Sequence, residues 1–147
     1  MGNTGLLGTA APLIIDLTLL LSIGVILAMT VGAILAWRQR YEAHRWVQTG
    51  AVILNAVLVL TVMIGSLLAA EPASEQQLTV ADFAMMTGHE IVGAVALIFG
   101  IFVTLRGNEL VPARLKFSNY KPYMRAAYGL YLVATIIGIG VYWVLYI

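Results

Sequence analysis

Four long apolar stretches constrain the fold of this chain more than any other feature of its sequence. They cover roughly residues 12–37, 46–70, 80–105 and 123–147. Each is longer than the about 20 apolar residues that a helix needs to cross a hydrocarbon core about 30 Å thick. The stretches are continuous rather than alternating, which favours helices over the strands of a membrane barrel. We therefore predict an all-α protein, a single integral membrane domain whose four spans form a four-helix bundle.

The sparse charge separates this chain from soluble domains. Only 10% of its residues are charged, against about 25% in a typical soluble domain. No nucleophile–base pair, phosphate-binding loop or relay of carboxylates across the spans is evident, so neither an independent enzyme nor an ion-conducting transporter is predicted. The absence of cysteine excludes disulfides, thiolate metal sites and haem attached through thioethers. The expected partners are membrane lipid and other subunits of a membrane complex, and nucleic acid is not expected.

The cations are segregated around alternate connections between the spans. All 8 Lys and Arg residues lie around the connection between spans one and two or that between spans three and four. Cytoplasmic loops of membrane proteins are enriched in these residues, so we predict that this side is cytoplasmic and that both termini lie outside. The expected location is the inner (cytoplasmic) cell membrane, crossed several times. The cations are Arg38, Arg40, Arg45, Arg106, Arg114, Lys116, Lys121 and Arg125.

A stripe of small residues runs along the first span at every fourth position. It consists of Gly24, Ala28, Gly32 and Ala36. Small side chains let helix backbones approach closely in lipid. We predict that this stripe contacts a neighbouring helix, which belongs either to the same bundle or to another membrane subunit.

Among the polar residues of the apolar stretches, four are candidates for structural or functional roles. Asp16 is expected either to reach the outer interface or to mark a site, and Asn55 to bond one helix to another. His89 is predicted to face the bundle or a partner and to make a specific polar contact. That contact is either a hydrogen bond to span one or two, for instance towards Asp16, or a bond to a quinone, chlorin or haem. Glu90, about 100° further round the helix, is expected to tilt towards the outer interface or a second partner.

The two histidines, His44 and His89, are the candidate cofactor ligands. Their depths in the membrane differ by roughly 15 Å, at about 1.5 Å per helical residue. One iron therefore cannot use both of them, and a haem on His89 needs Met63 or a ligand from another subunit. Met86 with His89 suits copper as a thioether–imidazole pair, although the ordinary role of both methionines is packing.

Three segments carry a resemblance to a known family. They are "YEAHRWVQTGAVILNAVLVLTVMI", "GHEIVGAVALIFGIFVTL" and "YGLYLVATIIGIGVYWVLY". They resemble the last three helices of domain-of-unknown-function family 420, small four-helix membrane proteins of bacteria and archaea, some of which mature cytochrome oxidase. The resemblance implies that His44 and His89 are the family's histidines. The family often has a further histidine before the last span, where this chain has Tyr120, which argues against an inner-surface metal or haem site built from that residue and His44.

Three classes of function follow. The resemblance implies an assembly factor for a haem–copper oxidase that acts by associating with an electron-transfer membrane complex. The second class is a permanent accessory subunit of a respiratory or photosynthetic complex. The third is an electron carrier that binds b-type haem or quinone.

Overall fold

The described residues form four long helices, with short connections between the first and second helices and between the third and fourth. The structure, a computed structural model, describes residues 5–63, 78–116 and 118–147. No strand occurs within these ranges, and each long helix is long and apolar enough to span a membrane. The helices are α1 (Leu13–Trp37), α2 (Tyr41–Leu58, continued by a π-helical turn over Val59–Met63), α3 (Val80–Gly107) and α4 (Lys121–Tyr146), with a short 3₁₀ turn at Ala113–Leu115.

These bounds confirm the all-helical prediction for the described residues, with four helices long and apolar enough to span a membrane, and they correct one predicted boundary. The second helix begins at Tyr41 rather than near residue 46. Gln39, with a φ of 60°, adopts the left-handed conformation that ends α1 and turns the chain directly into α2. The predicted end of the second span, residues 64–70, lies outside the described residues, as do residues 71–77 of the connection that follows it.

The third helix has the clearest start signal in the chain. The Thr79 hydroxyl accepts a hydrogen bond from the Asp82 backbone N–H at 3.3 Å, and the Asp82 carboxylate accepts one from the Thr79 N–H at 2.7 Å. This reciprocal capping box satisfies N–H groups that have no partner inside the helix. At its other end the helix stops at Gly107, followed by Glu109 with a φ of 60°.

The four helices form a ring in chain order, each antiparallel to its neighbours. The largest contacts are those of α1 with α2 and of α3 with α4, while α2 also touches α3 and α1 touches α4. At one end the Asn108 amide donates a hydrogen bond to the Thr49 hydroxyl at 3.0 Å. At the other end the Ala10 N–H bonds to the Tyr146 carbonyl. This topology brings the two described cation-bearing connections to the same end of the bundle.

The surface of the bundle is apolar and its core is small. Large hydrophobic side chains point outward on every helix, for instance Leu27 at 61%, Ile98 at 70% and Ile136 at 60% exposure. In water such a surface is unfavourable, whereas lipid tails solvate it. The fold is therefore compatible with a multi-pass membrane protein. The interior cluster contains Val25, Met29, Ala51, Val52, Leu58, Ala96 and Tyr131.

The predicted small-residue stripe of α1 divides between the interior and the surface. Gly32 is buried, and a Cβ there would lie 2.7 Å from the amide nitrogen of Gln48 on α2. Ala28 is half-buried against the core. Gly24 is exposed, and a Cβ there would meet no atom within 4 Å. The predicted helix contact is therefore confirmed at Gly32, whereas at Gly24 no described residue provides it.

Candidate functional site in the bundle interior

The polar side chains of α1 and α4 meet at two levels of the bundle. Asp16 meets Tyr142, and Thr30 meets Tyr128 at 2.9 Å between hydroxyl oxygens. The two pairs are separated by two heptads on both helices, so one antiparallel register sets both contacts. Each contact requires the polar atoms to face each other, which fixes the rotation of α4 against α1.

Asp16 is fully buried in the first turn of α1. The Tyr142 hydroxyl donates a hydrogen bond to its Oδ1 at 2.5 Å, and the Leu7 N–H donates to its Oδ2 at 2.9 Å. Since the Tyr142 proton is committed to the carboxylate, the Thr9 hydroxyl, 2.6 Å away, is the donor to Tyr142. The carboxylate is thus held by neutral donors, as a buried polar group requires.

The segment before α1 covers this carboxylate. A Cβ at Gly5 would collide with both the Asp16 Oδ2 and the Ala11 carbonyl oxygen, so only glycine fits there. The expectation that Asp16 reaches the outer interface is therefore wrong. Its carboxylate turns inward because the Leu7 N–H and the Tyr142 hydroxyl supply donors that replace water. No local sequence signal identified Leu7 or Tyr142 as its partners.

His89 faces the last helix. Its Nδ1 lies 3.1 Å from the Ala134 carbonyl oxygen, and a Cβ at Gly138 would lie 2.8 Å from its Cε1. The imidazole ring therefore occupies the space that the glycine leaves open on α4. The predicted inward orientation and polar contact are present, but the partner is span four and not span one, span two or Asp16.

His44 ties the start of α2 to α1. Its Nδ1 lies 2.7 Å from the Gly32 carbonyl oxygen, and the Gln48 amide donates to the Met29 carbonyl at 3.1 Å. These two side chains, one turn apart, bind two carbonyls of the facing helix, and the absence of a side chain at Gly32 makes room for Gln48. Sequence reasoning missed Gln48, although its i, i+4 spacing from His44 is a detectable signal.

Both histidines present the same protonation pattern. A carbonyl oxygen only accepts hydrogen bonds, so Nδ1 is the protonated nitrogen of each ring, and Nε2 of the neutral ring carries the lone pair. No described residue forms a hydrogen bond with either Nε2 atom. An imidazole oriented by an Nδ1–H···O=C bond is the usual arrangement of a metal-ligating histidine.

The positions of the two rings do not fit a haem ligated by both of them within one chain. His44 lies in the first turn of α2 beside the cationic end, and His89 lies further into the bundle against the middle of α4. Met86 is half-buried on α3, and the side chain of Met63 lies outside the described residues. No group of three His, Asp or Glu residues placed to hold a metal ion occurs in the described part of the chain.

Asn55 points towards α4, where Tyr131 is buried. The Tyr131 hydroxyl has no hydrogen-bond partner among the described residues, although the side chain of Asn55 is close enough to interact with it. The tyrosine ring lies against Gly100 of α3, where a Cβ would come within 2.5 Å of Cε2. Glu90 is exposed.

Comparison with protein-family models, curated proteins and solved structures found no match to this chain.

Proposed function

We propose that this chain is a multi-pass protein of the cytoplasmic membrane that associates side by side with a larger electron-transfer complex. The resemblance of its last three spans supports a role in the maturation of a haem–copper oxidase. The cationic end, with its two short connections, is proposed to face the cytoplasm, because this is the side on which Lys and Arg are retained.

The exposed Gly24 is the observation that carries the proposal. Three other glycines, Gly32, Gly100 and Gly138, each accommodate a side chain from a neighbouring helix. Gly24 belongs to the same stripe as Gly32 but lies open on α1. In lipid an open glycine gains nothing from the acyl chains, whereas the backbone of a partner helix can approach it closely.

The interior of the bundle supports association rather than catalysis. Asp16 and the Nδ1 atoms of His44 and His89 are all engaged in contacts within the chain. These contacts rigidify the bundle and leave its outward faces mainly apolar. A rigid apolar surface is suited to lateral binding of other membrane helices.

The test is affinity purification of the tagged chain from native membranes in a gentle detergent, followed by oxidase assay and identification of oxidase subunits. An assembly factor is recovered with incomplete oxidase, a permanent subunit with the mature complex. We expect Gly24→Leu to abolish recovery of oxidase subunits while the protein remains folded. Val133→Leu, a side-chain enlargement at an exposed position of α4, is the matched control. Normal oxidase activity in cells lacking the chain, together with purification of the chain alone, would contradict the proposal.

A second candidate is an electron carrier that binds haem or quinone, and the orientation of His89 favours it. The lone pair on its Nε2 is available for a ligand once Nδ1 is bound to Ala134. A haem there would draw its other axial ligand from a partner chain or from outside the described residues. A visible absorption spectrum of the purified complex, compared with that of His89→Gln, tests this candidate. A Soret band that the substitution leaves unchanged would exclude His89 as the ligand.

A further inference from the structure

An open groove lies between α3 and α4 at the cationic end of the bundle. It has a volume of about 370 Å³ and is lined by Phe99, Pro122, Tyr123 and Ala126. The lining is almost wholly apolar, and the Phe99 and Tyr123 ring centroids are 6.3 Å apart across it. Because α4 begins at Lys121, the groove opens where this helix would enter the membrane.

Two cations border the groove. Lys121 and Arg125 are one turn apart on α4, in the row next to Pro122 and Ala126. Both are exposed, and neither side chain forms an ion pair or hydrogen bond with another described residue. This contrasts with Arg45 and Arg106, whose guanidinium groups lie over the rings of Trp46 and Tyr120.

The charge around this end is strongly positive. All 8 Lys and Arg residues of the chain lie here, accompanied by the carboxylates of Glu42 and Glu109. A pair of cations beside an apolar groove is complementary to the negative phosphate and the hydrocarbon chain of an anionic phospholipid. Long Lys and Arg side chains at helix ends reach the headgroup level while their stems cover apolar surface.

We propose that this groove binds the acyl chain of an anionic phospholipid whose phosphate lies between Lys121 and Arg125. The lipid belongs to the leaflet at the cationic end, so the site depends on the membrane insertion given in the proposed function but not on any partner complex. Tyr123 marks the boundary between headgroup and acyl chain, the usual place of interfacial tyrosines. The bound lipid would cover the seam between α3 and α4.

The experiment compares lipid retention by the purified full-length chain in detergent. Phosphatidylglycerol and phosphatidylcholine with identical acyl chains are added separately, and bound lipid is counted by native mass spectrometry. We expect retention of one phosphatidylglycerol and a higher thermal unfolding midpoint with this lipid alone. Lys121→Gln with Arg125→Gln should weaken binding about fivefold for each cation removed.

A charge-matched control separates a site from general attraction. Arg114→Gln with Lys116→Gln removes the same charge from the same end but does not touch the groove, so retention should be unchanged. Ala126→Phe, by contrast, fills the groove and should abolish retention of phosphatidylglycerol. Since Lys121 and Arg125 are exposed, their substitution tests the proposal even if Ala126→Phe misfolds.

Three results would overturn the proposal. Equal losses in the two double variants would show non-specific charge attraction, and equal retention of the two lipids would show a site without headgroup selectivity. Displacement of the lipid by millimolar inorganic phosphate would show that the two cations bind free phosphate rather than a lipid headgroup. If the chain retains phosphatidylglycerol selectively but oxidase subunits are not recovered with it, the lipid site is supported and the proposed function is contradicted.

Discussion

The Tyr142 hydroxyl on the last helix donates a 2.5 Å hydrogen bond to the Asp16 carboxylate on the first helix. This bond closes the ring of four helices at the end opposite the cations. The same carboxylate accepts the Leu7 N–H and so holds the segment before α1 over the bundle. One side chain therefore joins the first turn of α1 both to α4 and to the segment that precedes α1.

Removal of the Tyr142 hydroxyl should destabilise the bundle. Tyr142→Phe leaves a buried carboxylate without its side-chain donor. The free energy of unfolding should fall by about 1.5–3 kcal/mol, the usual contribution of a hydrogen bond to a charged group. The measurement is thermal or denaturant unfolding in detergent. Tyr146→Phe is the control, because that ring packs on Tyr142 without bonding to Asp16. Equal stability of the two variants would show that the bond contributes nothing.

The pairwise nature of this contact can be tested with Asp16→Asn. The amide preserves the shape of the side chain but removes its charge. Tyr142→Phe should therefore lower the free energy of unfolding by less when Asp16→Asn is already present. A double-mutant cycle of unfolding free energies measures the difference. Strictly additive losses would mean that the two residues act independently.

Gly32→Leu should disrupt the fold or greatly lower its yield. A side chain there would displace Gln48 and separate α2 from α1, together with the bond from His44 to the Gly32 carbonyl. Gly24→Leu, the same change two turns away on α1, should leave folding intact because its surroundings are open. Gel filtration and circular dichroism in detergent measure both variants. A well-folded Gly32→Leu protein would contradict the close packing of α1 on α2.

His89→Ala should lower the unfolding midpoint, because the variant loses the bond to Ala134 and leaves a gap against Gly138. The free energy of unfolding should fall by about 1–3 kcal/mol, because the substitution removes a buried polar contact together with its packing. Loss of stability without a spectral change supports a structural role, and loss of a chromophore from a folded protein supports a ligand. A variant identical to the parent in stability, complex formation and spectrum would exclude both roles.

Single cysteines should report the orientation of the bundle, because the chain has no cysteine of its own. In intact cells an impermeant thiol reagent should label Leu6→Cys, on the exposed segment before α1, and not Arg114→Cys. Permeabilised cells should show labelling at both positions, which controls for accessibility. Labelling of Arg114→Cys from outside would reverse the proposed topology.

The sequence by itself determined the helices, their approximate ends and the segregation of cations to alternate connections. These are local properties, since a continuous apolar run of sufficient length forms a helix in lipid whatever its neighbours are. The one displaced boundary, at Tyr41, shows the limit of this reasoning. Residues 41–45 are polar enough to suggest a loop, but the left-handed Gln39 reverses the chain so tightly that α2 starts at once.

Only the tertiary structure decided which residues the polar side chains of the spans contact. The sequence suggested a bond from His89 to span one or two, for instance towards Asp16, but the ring order of the helices directs His89 to Ala134 and Asp16 to Tyr142. The arrangement of the helices around α1 also decided that Gly32 is buried and Gly24 is exposed, although both belong to the same stripe of small residues. The rotation of a helix and the choice of its neighbours depend on contacts between residues far apart in the chain, and an apolar run is similar on all its faces.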